Sequence, residues 1–84
     1  MAQTNKTVEA IIVWMQERTA RDLDKAPDEV DIDTPFDQLG LDSLAILTAT
    51  GELAEWLEVE LEAATLFEYP TIRKMAEFLA KPSS

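Results

Sequence analysis

The stretch GLDSLAILTATGELAEWL, residues 40–57, opens on a glycine, sets an aspartate beside a serine and then runs apolar at helical spacing. Asp42 is an N-cap residue by type. Its carboxylate can accept from the free N–H groups of a first helical turn, which is worth about 1 kcal/mol, and its charge suits the positive end of the helix dipole. A second helix is therefore expected from Ser43 to about Leu57, with Leu44, Leu47, Leu53, Ala54 and Leu57 on a broad apolar face. Ala45, Ala49 and Glu52 follow at i, i+4 and i+7 and are expected to face outward, with Glu55 or Trp56 completing the row. Gly51 weakens the helix relative to alanine and is expected to admit a neighbouring helix at close range.

Upstream, Val8, Ile11, Ile12 and Met15 fall at i, i+3, i+4 and i+7, the stripe of an amphipathic helix running from about Lys6 to Asp22, with Trp14 covering the edge of the core. The long connection from Leu23 to Asp42 cannot be one helix because of Pro27, and Val30 and Ile32 can pin it to the core. Within it, residues 34–40 (TPFDQLG) read as a single helical turn, with Thr34 as N-cap, Pro35 at the first helical position and Gly40 closing in a left-handed conformation. Long loops anchored in this way are usually functional. Downstream, residues 58–62 (EVELE) read as an extended link pinned by Val59 and Leu61, and Ala63 to Tyr69 as a short helix stopped by Pro70. Thr71 caps a last helix in which Ile72, Met75, Ala76 and Leu79 repeat the i, i+3, i+4, i+7 stripe, although Arg73 and Lys74 sit early for the helix dipole. The expected fold is an all-α four-helix bundle of three longer helices and one short helix, with the long loop between helices one and two. It forms a single domain over residues 1–84, with its core at about 6–80 and frayed tails at 1–5 and 81–84.

Composition narrows the chemistry. The chain has no cysteine and no histidine, which excludes a disulfide framework, a thiolate or imidazole metal site, and nucleophilic catalysis by a Ser/His or Cys/His pair. Any reactive group must come from outside the sequence, and the chain is not expected to be an enzyme. The formal charge is −10, and the twelve acidic residues between Ala26 and Ile72 are accompanied by no lysine or arginine. Nucleic acid and anionic membrane would be repelled by this surface, whereas a basic protein partner would be steered toward it. The run Ile11 to Met15 is too short for a signal core or membrane span, so a cytoplasmic monomer is expected. Asp28, Glu29, Asp31 and Asp33 lack the glycine and terminal glutamate of a calcium loop and read as a solvated loop. Trp14 and Trp56 read as core-edge residues.

Residues 40–44 (GLDSL) put a hydroxyl at the first position of a helix, at the mouth of a long loop. Unsatisfied N–H groups and the dipole's positive end make that spot favourable for a bound or covalently attached phosphate. Gly40 allows the sharp turn, Leu41 and Leu44 would anchor each side of the serine, and Asp42 can also meet a cation brought by a modifying enzyme. Taken locally, an ordinary N-cap accounts for the same residues.

The wider pattern decides between them. Residues 40–44 resemble the phosphopantetheine attachment motif of acyl carrier proteins, and the resemblance runs from about Val8 to Ala80. It includes DTPF at 33–36 and TLFEYPTI at 65–72, the latter resembling polyketide-synthase-type carriers. Trp14, GELAEWL at 51–57 and YPTI at 69–72 are most similar to the carriers that partner fatty acyl-AMP ligases. The resemblance implies 4'-phosphopantetheine attached to Ser43 by a phosphopantetheinyl transferase, with Asp42 and Leu44 beside it and a partner face including Asp37, Glu52 and Glu55. It implies a fatty acyl-AMP ligase loading the arm, and polyketide or fatty acid synthase domains taking the thioester onward. The chain departs from relatives at Glu58, where glycine is frequent, and at Glu62 to Thr65, where a proline usually precedes the threonine. The competing reading is an unmodified acidic helical adaptor for a basic protein.

Overall fold

Residues 6–80 are described by a computed structural model, in which four helices follow one another: α1 (Val8–Leu23), α2 (Ser43–Leu57), α3 (Ala63–Glu68) and α4 (Ile72–Ala80). The tails expected to fray, 1–5 and 81–84, lie outside the described residues. Two 3-10 turns, Pro27–Glu29 and Phe36–Gln38, interrupt the long connection between α1 and α2.

Each longer helix starts where a side chain can cap it. Thr7 accepts the Ala10 N–H at 3.1 Å, so α1 begins two residues later than Lys6. Asp42 accepts the Ala45 N–H at 2.8 Å, and Thr71 accepts the Lys74 N–H at 3.1 Å. The C-termini of α1 and α2 are closed by left-handed residues, Asp24 at φ 60° and Glu58 at φ 58°, whose N–H groups bond back to the last turn. The left-handed backbone at Glu58 is one that glycine adopts without strain, which is the physical sense of the departure at this position.

The core is built on α4, which packs mainly against α1. Ile72, Met75, Ala76 and Leu79 are all buried, against Ile11, Met15 and Ala20 of α1, Leu53 and Leu57 of α2, and Val30 and Phe36 of the loop. Trp14 and Trp56 stack at 5.6 Å across the edge of this core, with the Lys6 ammonium 5.0 Å from the Trp56 ring centroid. Val59 and Leu61 pin the link before α3, as their alternation with glutamates implies.

The apolar face of α2 differs from the expected one. Leu53, Leu57 and the half-buried Ile46 point inward, but Leu44 is 73% exposed and Leu47 51% exposed. At about 100° per residue Leu44 lies opposite Leu53, so one helix cannot bury both. Ala45 and Ala49, expected outside, are half-buried. Gly51 admits no close neighbour: a Cβ built there would meet nothing within 4 Å.

The long loop is stitched to the start of α4. The Phe36 N–H donates to the Pro70 carbonyl at 2.8 Å, the Arg73 N–H donates to the Ile32 carbonyl at 3.0 Å, and Pro35 pairs with Thr71 in an isolated antiparallel bridge. Pro35 is held extended by this pairing (ψ 146°), so the helical turn starts at Phe36, one residue later than expected, and Thr34 does not cap it. Arg73, awkward for the helix dipole, is held by a distant carboxylate instead, and its guanidinium grips both oxygens of Asp33, at 2.6 and 3.2 Å.

Candidate functional site: an exposed serine at the mouth of a groove

Gly40 turns the loop into α2 with φ 104°, and a Cβ there would lie 3.4 Å from Leu23 Cδ2. Leu41, half-buried, anchors the loop side of the turn. Leu44 anchors nothing on the other side, since it stands in solvent. Between them Ser43 is exposed at the first position of α2. Asp42 occupies two donors of the first turn, the Ala45 N–H through its carboxylate and the Ile46 N–H through its carbonyl at 3.1 Å. The N–H groups of Ser43 and Leu44, as the first two of a fifteen-residue helix, have no acceptor within the helix and lie at its positive end. A primary hydroxyl in that position suits esterification to a phosphate, whose remaining oxygens would face these donors.

Ser43 also forms part of the wall of an open groove of about 420 Å³. Ile46 and Leu47 continue its α2 wall, Leu66, Phe67 and Pro70 form the opposite wall, and Phe36 and Asp37 close its loop end. Phe67 is 85% exposed, the most exposed of the large apolar side chains among the described residues. A second, smaller pocket of about 30 Å³ is lined by residues that include Trp14, Arg18, Leu41, Leu53 and Met75. Phe36, Ile46 and Leu66 line both spaces.

Of the expected site residues, Ser43 and Asp37 line the groove, while Asp42 and Leu44 flank the serine in sequence as the N-cap and second residue of α2 without lining it. Glu52 sits elsewhere: it pairs with Arg18 of α1, which also binds Asp22 at 3.1 Å, and these carboxylates raise the Arg18 pKa, the Glu52 hydrogen bond most of all. Glu55 is exposed farther along α2. Phe67 and Leu47 were not among the residues expected at the site. The one signal for Phe67 was an aromatic beside Leu66 in a helix too short to bury two neighbouring faces. Among the described residues no group of three or more Asp, Glu, His or Cys could hold a metal, and no helix is long and apolar enough to cross a membrane.

Fold and site together are those of a small helical bundle with an exposed serine hydroxyl at the start of its second helix. Comparison with known proteins agrees. A family profile described as the phosphopantetheine attachment site matches residues 13–79. The acyl carrier protein TtuC of Teredinibacter turnerae is 32% identical over 74 residues, spanning 88% of this chain and 85% of that protein. One polypeptide of the phenolphthiocerol/phthiocerol polyketide synthase of Mycobacterium tuberculosis is 42% identical over 53 residues, 63% of this chain but 3% of that much longer polypeptide. Among solved structures, Asl1650, an acyl carrier protein from Anabaena sp. PCC 7120, superposes with a TM-score of 0.84 at 35% identity, covering 95% of this chain and 91% of that one. A free-standing peptidyl carrier protein of Acinetobacter baumannii superposes at 0.80 with 33% identity, covering 89% and 94%. The chain belongs to the phosphopantetheine-binding carrier family, as an acyl carrier protein of the polyketide-synthase type.

Proposed function

We propose that Ser43 is the attachment point of 4'-phosphopantetheine and that the chain carries fatty acyl groups as thioesters into polyketide or lipid-type synthesis. The observation that carries this reading is the exposed Ser43 at the first position of α2, immediately after the Asp42 cap and at the positive end of the helix dipole. In loading, Ser43 Oγ attacks the phosphorus of coenzyme A that bears the pantetheine, loses its proton, and adenosine bisphosphate leaves. The attached group supplies a thiol on a flexible arm. The protein's own residues supply position and recognition: Gly40 and Leu41 set the turn, Asp42 caps the helix and offers a carboxylate to a cation brought by the transferase, and Leu44 presents an apolar contact. Tethering raises the effective concentration of the cargo at each successive partner.

The partners under this reading are a phosphopantetheinyl transferase, a fatty acyl-AMP ligase and synthase domains, met in the cytoplasm by a monomeric carrier. The ligase rests on the similarity at Trp14, residues 51–57 and residues 69–72. The test is intact mass after incubation with coenzyme A, magnesium and a broad-specificity transferase. Wild type should gain one phosphopantetheine and Ser43→Ala none. A folded wild-type sample that gains nothing overturns the proposal and leaves an acidic adaptor for basic proteins.

A further inference from the structure

The chain has two glycines, Gly40 and Gly51, and they bracket the segment that carries Ser43. Gly40 turns the loop at φ 104°, where other residues are strained, and Gly51 lies inside α2 with open space around it. What holds α2 to the bundle lies almost entirely after Gly51. The two α2 residues that are buried are Leu53 and Leu57. Among the described residues its ion pair to α1 is made by Glu52, and its ring stack by Trp56. Before Gly51 no α2 residue is buried: Ile46, Ala49 and Thr50 are half-buried, and Ser43, Leu44 and Leu47 are exposed. Packing beneath this half is incomplete, since Ile46, Ala49 and Thr50 line the pocket of about 30 Å³ together with Met15 and Thr19 of α1.

The junction between the two halves is marked twice. Thr50 Oγ1 donates to the Ile46 carbonyl at 2.7 Å, a back-bond of the kind that competes with the helical ladder and bends helices. Gly51 follows directly, and it leaves helical φ and ψ more readily than any residue but proline. We propose that residues 41–50 form a rigid segment that tilts as a unit, on the microsecond-to-millisecond timescale, about Gly40 and Thr50–Gly51. Ser43 rides on this segment while residues 52–57 stay docked on α1. The Asp42 cap keeps the first turn of α2 closed, which favours motion as a unit over unravelling from the end. Resting on the attachment reading, the tilted state is the one in which Ser43 is presented to its modifying enzyme.

The test begins on the whole unmodified chain, where no transferase is needed. Amide relaxation dispersion should give residues 43–50 one shared exchange rate, and residues 54–57 no exchange. Gly51→Ala should cut the tilted population about fivefold, through helix propensity at the pivot, while raising the melting temperature. Thr50→Val, which loses the back-bond and keeps the shape of the side chain, should lower that population too. Modification of Ser43 from coenzyme A by a broad-specificity transferase should then slow about fivefold in Gly51→Ala, in a protein that has become more stable. A merely structural role for Gly51 would move stability and rate in the same direction. Exchange rates graded along residues 43–50, rising toward Ser43 and indifferent to Gly51→Ala, would show a fraying end and overturn the pivot. Flat dispersion profiles in wild type would overturn it as well. Unchanged modification of a variant whose exchange is suppressed would overturn the presentation step. Wild type that exchanges as described but gains no phosphopantetheine would instead defeat the attachment reading and leave the pivot standing.

Discussion

Asp33 and Arg73 stand forty residues apart in sequence and share two hydrogen bonds, and that pair explains a cation placed where a helix dipole disfavours it. The Arg73 guanidinium, by hydrogen bonding first and by charge second, lowers the Asp33 pKa and is itself raised. A lowered carboxylate pKa means that the clamp is complete above the ordinary aspartate range and is lost as pH falls through the lowered value. Carboxyl NMR should therefore show Asp33 titrating below the ordinary aspartate range, and Arg73→Gln should move its midpoint upward; an unmoved midpoint would mean that the pair does not persist in solution. A second residue carries strain. Glu58 holds φ 58° to close α2, a conformation that disfavours a side chain, so Glu58→Gly should stabilise the fold by about 0.5–1 kcal/mol in urea unfolding. Asp42→Ala should do the reverse, costing about 1 kcal/mol through the lost cap, and this loss should appear in apo protein before any modification.

At the level of the helices, what can be read from sequence follows how much of each pattern is local. The stripe Ile72, Met75, Ala76 and Leu79 is buried as its spacing implies, because α4 has one apolar face and nothing competes for it. The Thr71 and Asp42 caps are legible because a cap is a contact three residues long. In α2 the apolar residues are distributed around the helix, so periodicity alone cannot say which of them α1 and α4 cover, and Leu44 and Leu47 stand outside a face that their spacing puts inside. Of the candidate site, the serine, its cap and its glycine turn are readable; the groove is not, since it is made by α3 lying across from α2, a relation between distant segments. The Thr34 cap fails for the same reason, because the Pro35–Thr71 pairing that displaces it spans the chain. Gly51 gives the cleanest check on α2. With open space around its would-be Cβ, Gly51→Ala should raise stability by about 0.5–1 kcal/mol through helix propensity, read as a higher urea midpoint at unchanged m-value. A loss would mean that a neighbour approaches there in solution.

Across the whole molecule, the net charge of −10 acts on folding and on partner encounter with opposite signs. Among the described residues, Arg18 and Arg73 are drawn into ion pairs that tie segments together, Arg18 bridging Asp22 and Glu52, and Arg73 holding Asp33. Around Ser43, Asp37 and Asp42 keep their charge facing solvent, in a segment where no lysine or arginine occurs between residues 26 and 72. Folding concentrates this negative charge, so salt that screens it should stabilise the native state, beyond what the few ion pairs lose. The same screening weakens long-range attraction to a basic enzyme and should slow encounter. Raising sodium chloride from low to near-physiological concentration should thus raise the melting temperature while lowering kcat/KM for Ser43 modification by a transferase with a basic docking surface. Asp37→Asn should flatten the second dependence and leave the first nearly unchanged, because Asp37 is exposed beside the serine and takes no part in the core. Glu52→Gln is the contrasting variant: it releases Arg18 from half of its pairing, so its effect should fall on stability rather than on transfer. If instead Glu52→Gln slowed transfer and Asp37→Asn did not, the recognition surface would lie along the α1 side of α2 and not around the groove.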